Sequence, residues 1–599
     1  MTATAVGAGG TAVAEPAHPL PGTGSPDFGP NVRIFDPSMP VGEIQATVDA
    51  IAAEQVDNEM GAQRYALLFK PGTYGTPDHP LVFQVGYYTE VAGLGRSPTD
   101  VTINGHVDVY NRCLSPTNCI ALVNFWRSLS NLTIHVQGLD GCRASGMFWA
   151  VSQAAPLRRV NVTGGNLTFM DYCTAGPQYA SGGFMADSVT GNVINGSQQQ
   201  FLVRDSSIGS WSNGVWNQVF AGVPGAPAQS FPSPPYTTLP TTPVSREKPY
   251  LYVDASGEYR VFVPAARQNS SGSTWQNAAT PGRSIPISDF FLAKPSDSVA
   301  TINAQLARGK NLIFTPGVYA VNRSIEVKRP DTIVLGQGLT TLTAVNGAVP
   351  LKVADVDGVD IAGLMIDAGT VNSPVLLQVG TPRRGDDGER DREGRGDSSD
   401  PTVLHDVFFR VGGPHVGKAT VSLEVDSDNV LLDDIWAWRA DHGVPGSVGW
   451  DVNTADTGLV VNGDNVTALG LFVEHYQKYN VVWNGDNGTT IFFQNELPYD
   501  PPNQAAWQHD GIPGWAAYKV ADSVTTHQLW GAGSYIFTNA DPTIHAARGF
   551  EVPVAPGVTM HDLLTVNLSA GTIDHVVNDT GAPVTTEAVG VPSYVISYP

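Results

Sequence analysis

Positive charge is scarce in this sequence of 599 residues. Lys and Arg number 33 against 56 Asp and Glu, which gives a net charge of −23 and a pI near 4.8. Nucleic acids, anionic membrane surfaces and polyanionic substrates such as pectate would be repelled by such a chain. The composition argues against these partners, while 42% hydrophobic residues supply enough apolar material for a large core.

Long apolar runs are also missing. No stretch approaches the roughly eighteen consecutive apolar residues of a membrane-spanning helix. Residues 1–20 have neither a basic segment nor a solid apolar segment, so they do not read as an intact signal peptide. We expect residues 1–28 to form a disordered leader.

Cysteine is rare and confined to one stretch. The four cysteines, with no C-x-x-C spacing and no neighbouring His pair, match no zinc pattern. Two disulfides, Cys113–Cys119 and Cys142–Cys173, are preferred over free buried thiols. The low charge and the many polar turns then favour a secreted enzyme.

An internal duplication organises the chain. YALLFKPGTY at 65–74 returns as KNLIFTPGVY at 310–319, so that Phe69 and Tyr74 correspond to Phe314 and Tyr319, 245 residues later. A short helix-like segment precedes each copy, GEIQATVDAIAAEQ in the first and DSVATINAQLARG in the second. The repeat predicts two similar domains, at 29–221 and 297–599.

A shorter period sets the fold class. NGDN-x-T at 462–467 recurs at 484–489, 22 residues later, with turn residues in register. Such a period predicts a parallel β-solenoid, in which each coil buries its apolar face on its neighbours. We therefore expect an all-β protein of two tandem right-handed parallel β-helices, similar to pectate lyases, packed side by side. The Pro-rich segment 222–296 is predicted to be an extended connector, and the charged, Gly-rich segment 381–400 a mobile loop.

The same period brings two acids together. Glu474 and Glu496 are 22 residues apart, so they occupy equivalent positions on coils about 4.8 Å apart. With Leu469, Leu471, Ile491 and Phe493 taken as inward residues, alternation places both glutamates outside. Mutual repulsion would raise the pKa of one carboxyl, as a general acid requires. A solvated pair without function is the alternative.

Aromatic residues surround these acids in the sequence, and aromatic faces bind the apolar faces of sugar rings. They are Trp436, Trp438, Trp450, Tyr476, Tyr479, Trp483, Tyr499, Trp507, Trp515 and Tyr518. Taken singly, each is more often a packing residue than a sugar contact.

Other chemistries have weaker support in the sequence. A calcium site at Asp426, Asp428, Asp433 and Asp434 is an open alternative, although Asp is common in such turns for its own backbone hydrogen bonds. No HExxH pair, phosphate loop or G-x-S-x-G elbow occurs. We expect no metal and no cofactor. A calcium-dependent polysaccharide lyase and a non-catalytic, adhesin-like carbohydrate-binding solenoid remain the alternative functions.

Several long strings resemble glycoside hydrolase family 55. They are FWAVSQAAPLRRVNV at 148–162, YASGGFMADS at 179–188, NGSQQQFLVRDSSIGSWSNGVWNQVF at 195–220 and YTTLPTTPVSREKPYLYVD at 236–254, together with the two Glu-bearing coils. The resemblance runs from about residue 29 to the C-terminus. It implies two tandem β-helices and an exo-acting β-1,3-glucanase that releases glucose from the non-reducing end with inversion.

The resemblance also implies roles for individual residues. Glu496 would be the general acid, and Glu474 would hold and activate the attacking water, with Gln153 and Ser181 orienting it. An inverting pair of carboxyl groups is separated by roughly 6.5–9.5 Å. Residues nominated for substrate binding are Gln178, Tyr179, Gln200, Trp450, Asp451 and Tyr499. The expected partners are β-1,3-glucans such as laminarin and their oligosaccharides, bound by a secreted monomer that needs no nucleic acid or membrane.

Overall fold

A computed structural model describes residues 26–176, 178–382 and 397–599. The protein is almost entirely β, with strands that pair in parallel over most of their length, so the predicted fold class is confirmed. Most of the leader expected at 1–28, and residues 383–396 of the loop expected at 381–400, lie outside the described residues. Neither described helix is long and apolar enough to cross a membrane.

The N-terminal stack is a parallel sheet with further short strands along its side. The helix Val41–Gln55 packs beside it. The main path of the sheet runs through Val32–Phe35, Tyr65–Phe69, Thr89–Gly93, Arg127–Val136, Leu157–Thr163, Ala180–Ala186, Gln198–Arg204, Asn217–Ala221 and Tyr236–Leu239. The side strands are Gly72–Tyr74, Leu81–Gln84, Val101–Asp108, Gly146–Phe148, Asn166–Thr168, Val189–Gly196 and Ser207–Asn213, and a hairpin joins Arg112–Ser115 to Asn118–Ile120.

The C-terminal stack has two parallel sheets and the helix Val299–Ala307. Its front sheet runs through Phe290–Ala293, Asn311–Phe314, Ile333–Gly336, Asp360–Asp367, Val403–Val411, Leu431–Arg439, Thr467–Glu474, Gly488–Glu496, Thr526–Phe537 and Gly557–Ala570, and ends on the antiparallel strand Ser593–Tyr598; Val318–Val321 and Thr341–Ala344 join its side. Its back sheet runs through Ile325–Val327, Leu351–Val353, Ser373–Val379, Ala419–Val425, Ala455–Val461, Val481–Trp483, Tyr518–Val520, His545–Glu551 and Thr572–Val577. A short hairpin pairs Gln508–His509 with Ile512–Pro513.

The predicted register is confirmed. Leu469 pairs with Ile491 and Leu471 with Phe493, which places residues 22 apart on neighbouring coils. The repeated tyrosines make equivalent contacts in the two stacks. Tyr74 donates its hydroxyl to the carbonyls of Phe35 and Lys70, and Tyr319 donates to those of Ala293 and Thr315.

In seven consecutive strands of the front sheet, from Asp360–Asp367 to Gly557–Ala570, one stacked position takes a left-handed backbone conformation. The positions stack from coil to coil as Gly363, Asp406, Asp434, Gly470, Phe492, Gly531 and Asp562. A left-handed residue interrupts the alternation of the strand, as in a β-bulge. The prediction that Leu469 and Ile491 face inward is therefore wrong: they lie outside the C-terminal core, whereas Leu471 and Phe493 lie within it.

The outward face of the front sheet is covered by the N-terminal stack. An apolar cluster spans the contact, with Phe125, Trp126, Phe184, Leu202 and Val219 from one stack and Trp436, Trp438, Leu469, Phe472 and Ile491 from the other. Beside it, Arg158 donates to Asp406 at 2.6 Å and to Asp433 at 2.8 Å. The two domains thus share one continuous buried interface.

The connector 222–296 contains more structure than the sequence predicts. Tyr236–Leu239 extends the N-terminal sheet in parallel, at its edge, where a Pro-rich neighbourhood is tolerated. Antiparallel pairs follow, in which Thr242–Ser245 pairs with Arg267–Ser270, and Tyr250–Val253, Tyr259–Pro264 and Gly282–Pro286 make a small sheet, whereas Phe290–Ala293 already belongs to the parallel front sheet of the C-terminal stack. Apolar residues in the second half of this segment permit these strands, since its prolines are concentrated in the first half.

Disulfide bonds join Cys113 to Cys119 and Cys142 to Cys173. The first closes the short hairpin of the N-terminal stack. The second links residues 31 apart in the same stack.

Candidate active site

Glu474 ends the strand Thr467–Glu474 and is only 3% exposed, at the contact between the two stacks. Its carboxylate accepts hydrogen bonds from the Nε2 of Gln153 and the Nε1 of Trp436, each at 2.8 Å. Ser181 donates its hydroxyl to the Oε1 of Gln153 at 2.6 Å, which turns the NH₂ group toward Glu474. Burial and the charge of Glu496 raise the pKa of Glu474 well above its usual value, against the effect of the two N–H donors.

Glu496 ends the neighbouring strand Gly488–Glu496, and its side chain is 13% exposed. The hydroxyl of Tyr499 donates to its Oε2, and the Nε2 of His475 lies 3.8 Å from the same oxygen. Burial raises the pKa of Glu496, although His475 and Tyr499 oppose the rise. The carboxyl therefore keeps its proton to a higher pH than an ordinary glutamate does.

A cavity of about 370 Å³ opens beside Glu496. Its walls are Arg439, Ala440, Asp441, Val448, Gly449, His475, Tyr499, Asp500, Phe537 and Asn539. Two of these, His475 and Tyr499, contact Glu496 directly. The volume falls within the range of ligand pockets, roughly 300–1,000 Å³.

The wall of the cavity is held by a buried arginine. Arg439 donates to both carboxylate oxygens of Asp500, at 2.9 and 2.8 Å, and to the carbonyls of Gly449, Asn453 and His475. These bonds fasten the loop after the strand Leu431–Arg439 to the segment after Glu496. The cavity therefore keeps its shape through contacts that do not use the two glutamates.

The structure brings together part of the set nominated for substrate binding. Tyr499 forms the cavity wall, and Trp450 follows the wall residue Gly449, half-buried, with the guanidinium carbon of Arg439 5.6 Å from its ring. Asp451 is exposed and Gln178 is half-buried. Tyr179 is 66% exposed, an unusual position for an aromatic ring, two residues before Ser181.

Gln200 does not take the place that its nomination for substrate binding requires. Its side chain is completely buried, its Nε2 donates to the carbonyl of Phe493, and its Oε1 accepts the hydroxyl of Tyr535. Both ends of the amide are therefore used in the contact between the stacks. The string QQQFLVR, from which Gln200 was nominated, forms the strand Gln198–Arg204 at the interface.

Most of the aromatic residues near the glutamates in the sequence pack in the interior. Those buried are Trp436, Trp438, Tyr476, Trp483, Trp507 and Tyr518, whereas Trp450, Tyr479, Tyr499 and Trp515 are half-buried. The alternation of a regular strand does not distinguish a ring in the core from one in the interface. Trp436, which the sequence places only among possible sugar contacts, instead donates to Glu474.

Two of the four aspartates of the calcium alternative are engaged with separate partners. Asp433 binds Arg158 and Arg204, and Asp426 accepts hydrogen bonds from Gln378 and Asn462. Over the described ranges, no three His, Cys, Asp or Glu side chains are grouped to hold a metal ion.

His475 and Asp441 are site residues that the sequence did not single out. They lie on the cavity wall, where the nitrogen Nε2 of His475 is 3.8 Å from the Oδ1 of Asp441. No periodic signal marks Asp441, because it lies in the irregular loop after Leu431–Arg439.

The chain is similar to known proteins over most of its length. Residues 290–496 match the family model of the LAM55 pectate lyase-like domain. The chain is 50% identical to an exo-beta-1,3-glucanase of Streptomyces sp. (strain SirexAA-E / ActE) over 579 residues, which cover 96% of this chain and 90% of the relative.

Two solved structures are similar over almost the whole chain. The structure of sacteLam55A from Streptomyces sp. SirexAA-E has a TM-score of 0.89 at 50% identity and covers 96% of this chain and 99% of that one. A Glu-to-Ala variant of sacteLam55A in complex with glucose gives a TM-score of 0.88 with the same identity and coverage. The chain therefore belongs to glycoside hydrolase family 55.

Proposed function

We propose that the protein is an exo-acting hydrolase that releases glucose from the non-reducing end of β-1,3-glucans with inversion at the anomeric carbon. The observation that carries this proposal is the pair of glutamates on neighbouring coils, of which Glu496 contacts two residues of the cavity wall and Glu474 is held by the opposite stack. The relative of half-identical sequence is named an exo-beta-1,3-glucanase, and a variant of the related structure binds glucose.

The hydrogen bonds assign different roles to the two acids. Burial raises the pKa of both acids, and the charge of Glu496 raises that of Glu474 further, so the pair holds on to a proton more readily than two ordinary glutamates do. Glu474 accepts two N–H donors, which stabilise a carboxylate, whereas Glu496 accepts a single hydroxyl. On these donors we assign Glu474 the role of the carboxylate and Glu496 that of the proton donor in the reaction, although burial and the charge of Glu496 raise the pKa of Glu474 the further of the two.

The reaction then follows from these states. Glu496 gives its proton to the glycosidic oxygen as the bond from that oxygen to C1 breaks. A water held by Glu474, with Gln153 and Ser181 around it, attacks C1 from the opposite face and passes a proton to Glu474. Glucose leaves as the α-anomer, and the shortened glucan keeps its new non-reducing end.

The size and walls of the cavity support exo action. A volume of about 370 Å³ accommodates the end of a glucan better than the middle of a long chain. Half-buried Trp450 and exposed Tyr179 offer ring faces for further sugar units.

The same proposal covers the setting in which the enzyme works. We expect a secreted monomer that needs no cofactor, nucleic acid or membrane. Two disulfides support an oxidising compartment, and the mutual covering of the two stacks leaves their joint apolar face already buried.

The decisive experiment follows the anomer released from laminari-oligosaccharides by NMR. The wild-type protein should release α-glucose first, and Glu496→Gln should lose activity by roughly 10²–10⁴-fold while its circular dichroism is unchanged. The matched control is Glu326→Gln, whose side chain is 44% exposed on the back sheet and should retain full activity.

A second substrate separates the roles of the two acids. A dinitrophenyl β-glucoside needs little protonation of its leaving group, so it should restore much of the activity of Glu496→Gln but not of Glu474→Gln. Early release of β-glucose, or a Glu496→Gln variant with nearly wild-type activity on laminarin, would contradict the proposal.

A further inference from the structure

His475 has an unusual backbone conformation for its position. It directly follows Glu474 and has a φ of 68°, in the left-handed region that non-glycine residues rarely adopt. Its backbone N–H donates to the carbonyl of Glu496 at 2.7 Å, which fixes it to the next coil. Non-glycine residues in this region are often found at functional sites, where the surrounding structure imposes the conformation.

The imidazole of His475 lies between two carboxylates. Its Nδ1 is 3.2 Å from the carbonyl of Leu497, an acceptor, so Nδ1 carries a hydrogen. Its Nε2 is 3.8 Å from both Asp441 and Glu496. The ring edge also contacts the ring of Tyr499, with centroids 4.4 Å apart. A second hydrogen on Nε2 would therefore point between the two acids.

Asp441 is in turn held by two residues of its own stack, one of which also contacts the N-terminal stack. It accepts hydrogen bonds from the Nε1 of Trp438 at 3.2 Å and the Nδ1 of His442 at 2.9 Å. The Nε2 of His442 is 2.6 Å from the carboxylate of Glu59, in the N-terminal stack. Burial lowers the pKa of His442, but its bonds with Asp441 and Glu59 outweigh burial and raise the pKa to about 10.

We propose that His475 and Asp441 are positioning residues for the general acid, which hold the carboxyl of Glu496 beside the cavity and balance its charge before and after proton donation. This inference rests on the proposed function, in which Glu496 is the acid. Hydrogen bonds from His442 to Asp441 and from His442 to Glu59 connect the charge of Asp441 to the N-terminal stack.

The two residues act on Glu496 with opposite signs. The charge of His475 lowers the pKa of Glu496, whereas that of Asp441 raises it. Other titratable or charged groups around this carboxyl and its neighbours are Glu474, Tyr499, Tyr535, the pair Arg439–Asp500, and the pair Glu59–His442. Because those groups stay in place in single variants of His475 or Asp441, the two substitutions should displace the pH profile in opposite directions.

The test is the pH dependence of kcat/KM on laminari-oligosaccharides, whose basic limb reports the acid of the free enzyme. His475→Asn keeps a residue that tolerates the left-handed conformation but carries no charge. It should move the basic limb upward by about one pH unit and lower kcat about tenfold, with little change in KM. Asp441→Asn should move the limb downward by a similar amount.

A matched control is His545→Asn, because His545 also pairs with an aspartate, Asp574, at 2.8 Å, but on the exposed surface. It should leave the profile unchanged. An unmoved limb in either site variant, or shifts of both in the same direction, would overturn the proposal. If His475→Asn does not fold, Asp441→Asn decides alone, since its side chain lies at the partly exposed rim.

The outcome is separable from that of the proposed function. If Glu496→Gln is inactive and the two site variants retain the wild-type profile, only the positioning role fails. If Glu496→Gln is fully active, the assignment of the acid fails first.

Discussion

Arg204 is the residue at which the contact between the two stacks is most easily tested. Its guanidinium is fully buried and donates to Glu247 at 2.6 and 3.0 Å and to Asp433 at 2.8 and 2.7 Å. In Arg204→Met, Asp433 keeps Arg158, but the nearest other cation to Glu247 is that same Arg158, at 4.0 Å. A buried carboxylate would lose its partner, which costs about 3–5 kcal/mol of unfolding free energy.

Urea unfolding followed by tryptophan fluorescence measures this loss. The control is Arg283→Met, which removes an equally short pair, Arg283–Asp331 at 2.7 Å, whose side chains are 46% and 47% exposed. That substitution should cost less than about 1 kcal/mol, because solvent screens the pair. If both variants lose the same small amount, the buried network does not hold the two stacks together and the reasoning is refuted.

Three further predictions concern the site and the interface. Ser181→Ala removes the hydroxyl that orients Gln153, so kcat on laminari-oligosaccharides should fall roughly tenfold or more with an unchanged melting temperature. Gly182→Ala would bring a Cβ within 2.5 Å of the Oε1 of Gln494, and should lower the unfolding free energy by about 1–3 kcal/mol in urea. Burial raises the pKa of Asp205 to about 6, so the folded chain binds a proton that the unfolded chain releases near pH 4. Stability from this group therefore falls as pH rises from 4 to above 6, and Asp205→Asn should remove about 1.4 kcal/mol of that decline between pH 5 and pH 8, as measured by urea unfolding at the two pH values.

The stacking of coils was predictable because turns demand particular residues. Asn and Gly at the corners repeat at the period of the coil, and the observed pairing of Leu471 with Phe493 follows from that period. The left-handed position shared by seven coils was not predictable, because only some of its occupants are glycine. Phe492 adopts that conformation because its neighbours above and below impose it, and nothing in its own chemistry signals it.

The candidate site divides in the same way. Spacing alone placed Glu474 and Glu496 on neighbouring coils, whereas Gln153 and Ser181 entered only through a family resemblance. The bond between Glu59 and His442 joins residues 383 positions apart, and no pattern within one domain contains it. For Gln200 the family resemblance was misleading. This residue was nominated for substrate binding, but it is buried and its amide bonds the C-terminal stack at both ends.

The hydrogen bond from Gln153 to Glu474 crosses 321 positions of the sequence and has a consequence for the ancestry of the chain. After a duplication, the two copies could diverge only as a pair, because one supplies the proton donor and the other orients the water. A fragment of either half would be inactive, and the tryptophans that it exposed would promote aggregation. A chimera that takes one half from a distant homologue should therefore be active only when the interface residues of both stacks are exchanged together.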